Sequence, residues 1–316
     1  MEWQQKMFDI VGKRFWFLLA SAVIIIVGLV SVLVPGGLKL GIDFEGGISV
    51  TLGPKEGETL TLDQVQQKLR DLGYSEAAGG VQVLGEGDFF FRTRELDENE
   101  QQQLRSGLSQ IGEVKDFEAI SAVIASETVR RAAIAMGVAT IAMLLYIAWA
   151  FRKVPNPFRY GTCAFIALLF SVLVVLGTFS FLGRTLGWEI DPMFIAAILA
   201  VIGYGVNDTI VVLDRLRENV AKGMATDFDT TVNFSLVQTL TRSLTTGMAA
   251  LLTILAIYLF VGGPIRGLLM ALFVGIVAST YASIFIASQL LVVWERGEWG
   301  RFLPKIRLPQ RVRGGE

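Results

Sequence analysis

The stretch FWFLLASAVIIIVGLVSVLV, Phe15 to Val34, runs through twenty residues without an Asp, Glu, Lys or Arg. A helix rises about 1.5 Å per residue, so this length covers the roughly 30 Å hydrocarbon core with its backbone hydrogen bonds closed internally. Phe15 to Val34 therefore reads as a membrane span. Ala132 to Phe151, Tyr160 to Gly183 and Gly267 to Trp294 pass the same test. Two further windows are flawed: Pro192 to Leu213 carries Asp208, and Leu244 to Val261 follows a polar stretch, Phe234 to Thr246, that carries Arg242. The composition agrees with a chain of six spans. Of 316 residues, 53% are hydrophobic and 18% charged, against about 25% charged in a soluble domain, and the mean hydropathy is +0.54.

Orientation follows from cations in the short loops. They fall at Lys6, Lys13 and Arg14 before span 1, Arg152, Lys153 and Arg159 between spans 2 and 3, and Arg215, Arg217 and Lys222 after span 4. Arg296, Arg301, Lys305, Arg307, Arg311 and Arg313 follow span 6. These sets alternate, so both termini are expected in the cytoplasm and the loops Arg184 to Asp191 and Gly262 to Arg266 outside. Span 1 follows Lys13 and Arg14 as a signal peptide would. No small-x-small cleavage pattern closes it before Pro35 and Gly36, and it reads as an uncleaved anchor.

The chain then divides into residues 1–35 with span 1, a folded extracytoplasmic domain over 36–130, spans 2 to 6 over 131–295, and a basic cytoplasmic tail, 296–316. Within the domain, Ile48 to Leu52 is strand-like, and Leu62, Val65, Leu69 and Leu72 give helical spacing to Leu60 to Leu72. Val81 to Leu84 and Phe89 to Arg94 read as a hairpin around Gly85, Glu86, Gly87 and Asp88. Asp97 to Ile111 opens with acids suited to a helix N-terminus, and Val114 to Ile120 alternates as an edge strand. The order is β-α-β-β-α-β, a ferredoxin-like α+β domain. Lys39 to Glu127 holds 17 acids and 8 basic residues, a net charge of −9, which solvates a small domain or contacts a partner.

Several functions are excluded. There is no histidine, which removes His triads, His-ligated metals and His proton relays and leaves Asp, Glu, Lys, Arg, Tyr and water for proton chemistry. Cys163 is the single cysteine, in an apolar run, so neither an internal disulfide nor a cysteine metal cluster is available. The net charge of −1 gives no electrostatic reason to expect nucleic acid. No enzyme chemistry, metal site or cofactor is expected.

An ionisable side chain inside a span costs at least about 2.5 kcal/mol and faces the bundle or a cavity. Asp208 lies in a small, polar patch with Gly203, Tyr204, Gly205, Asn207 and Thr209, about 9 Å from Asp214 along a continuous helix. On the next span Ser235, Thr239, Arg242 and Thr246 recur at i, i+4, i+7 and i+11, one polar helical face. Matched depth predicts an Asp208 to Arg242 pair acting as a proton relay. A static ion pair locking spans 4 and 5 is the bland alternative. Gly275, Ser279, Ser283 and Ala287 form a small-xxx-small ridge that reads as helix packing. Gly203-Tyr204-Gly205 is misplaced for a potassium filter, which needs a re-entrant loop between the last two spans. Asp208 and Asp214 lie about 120 degrees off a common face, which argues against an aspartyl protease pair.

Three stretches resemble the SecF family of the bacterial protein-export machinery, itself related to the resistance-nodulation-division (RND) transporters. They are Gly41-Ile42-Asp43-Phe44-Glu45-Gly46-Gly47, Ala196 to Asn219 (AAILAVIGYGVNDTIVVLDRLREN), and Thr239-Leu240-Thr241-Arg242-Ser243. The resemblance runs through the whole chain. It implies a multi-pass protein of the bacterial inner membrane that works with SecD, the SecYEG translocon and YajC on unfolded exported polypeptides, driven by the proton motive force. It also implies that Asp208 carries protons opposite Arg242, with Asn207, Thr209, Thr239 and Thr246 as supporting polar positions. Gly41, Asp43, Gly46 and Gly47 correspond to the family motif outside span 1. Gly205, Gly247 and Ala249 depart from hydroxyl residues expected there. An RND-type small-molecule exporter and a translocon scaffold without proton transport are the alternatives.

Overall fold

The computed structural model describes residues 9–298, apart from 56, 58, 85, 86, 153–155, 226 and 262–264. Lys6, Lys153, Gly85 and Glu86 of the hairpin turn, Gly262 and the tail cations from Arg301 onward lie outside the described residues. Among the described residues six helices are long and apolar enough to cross a membrane: α1 (Arg14–Leu33), α6 (Ala122–Ala150), α7 (Pro157–Leu186), α8 (Pro192–Ala221), α9 (Phe228–Phe260) and α10 (Ile265–Glu295). Between α1 and α6 come α2 (Ile42–Glu45), β1 (Gly47–Gly53), α3 (Leu62–Asp71), α4 (Ser75–Gly79), β2 (Gln82–Val83), β3 (Phe89–Thr93), α5 (Glu98–Leu108) and β4 (Glu113–Ile120). The expected six spans and β-α-β-β-α-β order are both present. The single-turn helices α2 and α4 are additions.

Several helices overrun their apolar windows. α6 begins ten residues before Ala132, and α9 sixteen before Leu244. Backbone hydrogen bonding does not depend on apolarity, so a helix that leaves hydrocarbon continues until a cap or breaker stops it. For α9 that stop is Asp227, whose carboxylate accepts from the Thr230 amide and whose pKa is held below the usual range by that bond.

The chain forms two compact units. One holds Ser31–Ala139 and Thr178–Ala197. Its sheet runs in the order β2-β3-β1-β4, antiparallel throughout, the ferredoxin-like arrangement. Alternation places Ile48, Val50 and Leu52 of β1 with Phe89 and Phe91 of β3 on one face, where they pack on Val65 and Leu69 of α3 and Leu104 and Leu108 of α5. Both helices open with a full capping box, Thr61 with Gln64 and Asp97 with Glu100.

The chain enters β1 through Gly46 and Gly47, with φ of +77° and +117°. A Cβ at Gly47 would lie 2.6 Å from the Thr93 carbonyl oxygen, so the sharp entry and the β1–β3 pairing both require glycine.

In the same unit the segment before β1 lies against the loop between α7 and α8. The Gly41 amide donates to the Ile190 carbonyl at 2.7 Å, and the Ile190 amide to the Lys39 carbonyl at 2.7 Å. Arg92 of β3 reaches the Leu40 carbonyl at 3.0 Å and forms a close ion pair with Glu189. A Cβ at Gly41 would meet the Ile190 oxygen at 3.0 Å, which explains a glycine there. Asp191 caps α8 by accepting from the Phe194 amide at 2.7 Å. Burial pushes the Glu189 and Asp191 carboxyls above the usual range, opposed at Glu189 by Arg92 and at Asp191 by the Phe194 amide. Asp43, one turn into the motif, adds a repulsive charge to Asp191 and to Glu118.

The other unit holds, of the described residues, those up to Val30, Thr140–Gly177 and those from Ile198 onward. Its core gathers Ile147, Tyr160, Cys163, Leu168, Val212, Leu213, Leu216, Val232, Leu236 and Leu291.

Candidate functional site

Asp208 sits in α8 at 6% exposure, and its carboxylate is held by two serine hydroxyls. Ser243 of α9 donates to one oxygen at 2.7 Å, and Ser283 of α10 donates to the other in a shorter contact. Charge-assisted bonds of this kind contribute about 1.5–3 kcal/mol each, comparable to the cost of placing an acid in a span.

Three helices supply the site because their small residues let them approach. α8 and α10 meet in register at Val201 with Gly275, Gly205 with Ser279, and Asp208 with Ser283. A Cβ on Gly275 would come within 2.8 Å of Val201 Cγ1, and one on Gly205 within 3.0 Å of Ser279 Oγ. On α9, Gly247 takes the position next to Tyr204 and Thr280, whose hydroxyls lie 3.5 Å apart.

Above the carboxylate in the sequence of contacts stands Val201, fully buried. Below it, Val212, Leu213, Leu216 and Leu236 form an apolar layer, each at 1% exposure or less. Beyond that layer Asn219 donates to Ser235 at 2.8 Å and to Gln238 at 3.0 Å, and Arg215 to Gln238 at 2.7 Å. On α8 itself the polar Tyr204, Asn207 and Thr209 lie between these two buried apolar points, beside the carboxylate.

The expected Asp208 to Arg242 pair is not what the structure brings together. Arg242 is exposed in the single chain, and among the described residues no ion pair joins it to Asp208. The buried stripe of α9 is Thr231, Ser235, Thr239, Ser243 and Gly247, in steps of four. The expected stripe shared its first two members and then took a step of three to Arg242. That step turns the face by about 60 degrees, since a step of three falls short of a full turn where a step of four exceeds it. Of the supporting positions, Thr209 and Thr239 are buried, and Thr239 bonds back to the Ser235 carbonyl at 3.0 Å. Asn207 and Thr246 are exposed.

Two residues that hold Asp208 lie outside the set the sequence points to. Ser243 stands beside Arg242 in the third motif, and the step-of-four rule would have found it. Ser283 was assigned to packing. The ridge Gly275, Ser279, Ser283 does pack, and it also supplies the second hydrogen bond to Asp208. Among the described residues no group of three His, Cys, Asp or Glu side chains could hold a metal.

The fold and site define a multi-pass membrane protein in which, among the described residues, one carboxylate is buried within the helices. The model for "Protein export membrane protein SecD/SecF, C-terminal" matches residues 101–297. The protein translocase subunit SecF of Thermobaculum terrenum is 42% identical, over 93% of this chain and 96% of its own. SecDF of Bacillus subtilis is 29% identical over 92% of this chain, which spans 38% of that longer protein. The crystal structure of SecDF from Thermus thermophilus, described as a translocon-associated membrane protein, superposes with a TM-score of 0.80 at 28% identity, covering 92% of this chain and 39% of that one. The chain belongs to the SecF family of protein translocase subunits.

Proposed function

We propose that this chain works with SecD to aid late protein export across the bacterial inner membrane, and that Asp208 couples the work to the proton motive force by binding and releasing a proton. The supporting observation is the partner set of Asp208. A carboxylate paired with an arginine strands a cation when it is protonated. One held by two hydroxyls strands nothing, because one hydroxyl can rotate to accept the carboxyl proton or to bond elsewhere while the other still donates. About 2.3 kcal/mol per proton per 100 mV is available from the electrical term.

The cation distribution supports a topology with both termini in the cytoplasm and the sheet domain outside. Partnership with SecD is supported by relatives in which the two are one chain. Arg242 supports it too: an arginine facing lipid costs about 2.5–3.5 kcal/mol, whereas the SecD helices would cover that face of α9 and offer it a counter-charge. SecYEG supplies the channel, YajC is a further partner, an unfolded polypeptide is the cargo, and no enzyme chemistry or cofactor enters. Asp208→Asn keeps size and hydrogen bonding while removing titration. It is expected to abolish gradient-stimulated export of a reporter in membrane vesicles while SecD still copurifies. Full stimulation at normal abundance would reject the relay and leave the scaffold reading.

A further inference from the structure

The run of α10 from Ser283 to Ala287 is a π-turn, one residue too many for an α-helix, and it starts at the serine that holds Asp208. Among the described residues, five buried side-chain atoms have no hydrogen-bond partner, and three flank this turn: Ser279 Oγ before it, and both amide atoms of Gln289 after it. Gln289 is fully buried. Ser279 also forgoes the bond to the carbonyl four residues back that Ser171, Ser235 and Ser288 make on the same kind of helix. A polar group left unpaired in a packed interior calls for an explanation, and a second arrangement in which it is paired is one.

We propose that this π-turn is a movable one-residue bulge, and that α10 passes between two registers according to whether Asp208 carries a proton. The inference rests on the relay reading of Asp208. In the register described, the charged carboxylate pulls on the Ser283 hydroxyl and keeps the extra residue in the turn. A neutral carboxyl attracts that hydroxyl less, and the single Ser283 proton turns to the Thr280 carbonyl, 3.0 Å away. When the bulge relaxes to α-helix, the segment beyond it rotates by about 100 degrees and shifts by about 1.5 Å. That rotation carries Gln289 off the face on which its amide has no partner. Protonation in mid-bundle thereby becomes movement at the end of α10, through an element with two discrete arrangements.

The test is hydrogen exchange followed by mass spectrometry on the full chain copurified with SecD, comparing the wild type with Asp208→Asn, which mimics the neutral carboxyl. Amides from 283 to 289 are expected to change exchange rate at least tenfold, with those from 266 to 277 unchanged. Ser283→Ala, which releases the same tie, is expected to give the same pattern should Asp208→Asn prove unstable. Equal exchange within twofold in both variants overturns the proposal. Gln289→Leu is the second arm. It is expected to melt at or above the wild-type temperature, to lose the exchange response to Asp208→Asn, and to lower gradient-driven export at least tenfold. Full export with the exchange response intact overturns the proposal, since a glutamine of merely structural importance would move only the melting temperature. Normal gradient-driven export by Asp208→Asn itself would remove the relay reading, and the exchange data would still decide whether two registers exist.

Discussion

Gly275→Ala probes the contact on which the site depends. The added Cβ would stand within 2.8 Å of Val201 Cγ1 and 3.0 Å of Val201 Cβ, with Cγ2 nearer still. Carbon atoms settle at about 3.5–4.0 Å, so Cγ1 alone asks for about 0.7 Å of local separation between α10 and α8, and the nearer Cγ2 for more. Val201 is fully buried and has no free space to retreat into. Overpacking of this kind costs about 1–3 kcal/mol. Ser283 lies eight residues further along the same face of α10, and the same opening stretches its bond to Asp208. Two effects are therefore expected together: a melting temperature lowered by that cost for the chain copurified with SecD, and reduced gradient-driven export from the stretched site. Val201→Ala removes the two methyl groups in the way, so the Gly275→Ala/Val201→Ala double variant is expected to recover most of both losses. Melting by intrinsic fluorescence and export of a reporter into vesicles are measured on the four members of the cycle. Wild-type behaviour from Gly275→Ala, or a double variant as impaired as the sum of the singles, would refute close packing at this point as the support of the Asp208 site.

Ser243→Ala leaves one oxygen of a buried carboxylate without its donor and is expected to cost about 1–3 kcal/mol, with Ser243→Thr restoring most of it; thermal melts compare the three. Glu118, Glu189 and Asp191 are all pushed upward, chiefly by burial, so the folded chain binds their protons more tightly than the unfolded chain. The stability they contribute is complete below the ordinary carboxylate range and is lost as pH rises through the raised values. Melting of the sheet-bearing unit is accordingly expected to be higher near pH 5 than near pH 7, and Asp191→Asn, which keeps the helix cap, to flatten that slope; a slope of opposite sign in the wild type would contradict the assignment. Asp97→Ala removes a capping box from α5 and is expected to cost about 1 kcal/mol by denaturant or heat, while Asp97→Ser restores most of the loss.

Much of this molecule was legible in one dimension. The six spans, the alternation of cations, the two capped helices and the four strands each follow from patterns a few residues to twenty residues long, and hydropathy, capping and side-chain alternation act at that range. Asp208 was also legible, because an acid inside an apolar window has a cost that something must offset. Its partners were not. On α9 the choice between Arg242 and Ser243 is a rotation by one residue, and only the packing of Gly247 against Tyr204 and of Ser235 against Asn219 sets which face turns inward. On α10, Ser283 looked the same as its neighbours in a small-residue ridge, and the register of α10 against α8, set where Gly275 meets Val201, decides that it reaches the carboxylate. Local chemistry thus determined which elements form and where the unusual charge lies. Contacts between helices distant in sequence, each depending on fractions of an ångström, decided that hydroxyls and not a guanidinium hold it.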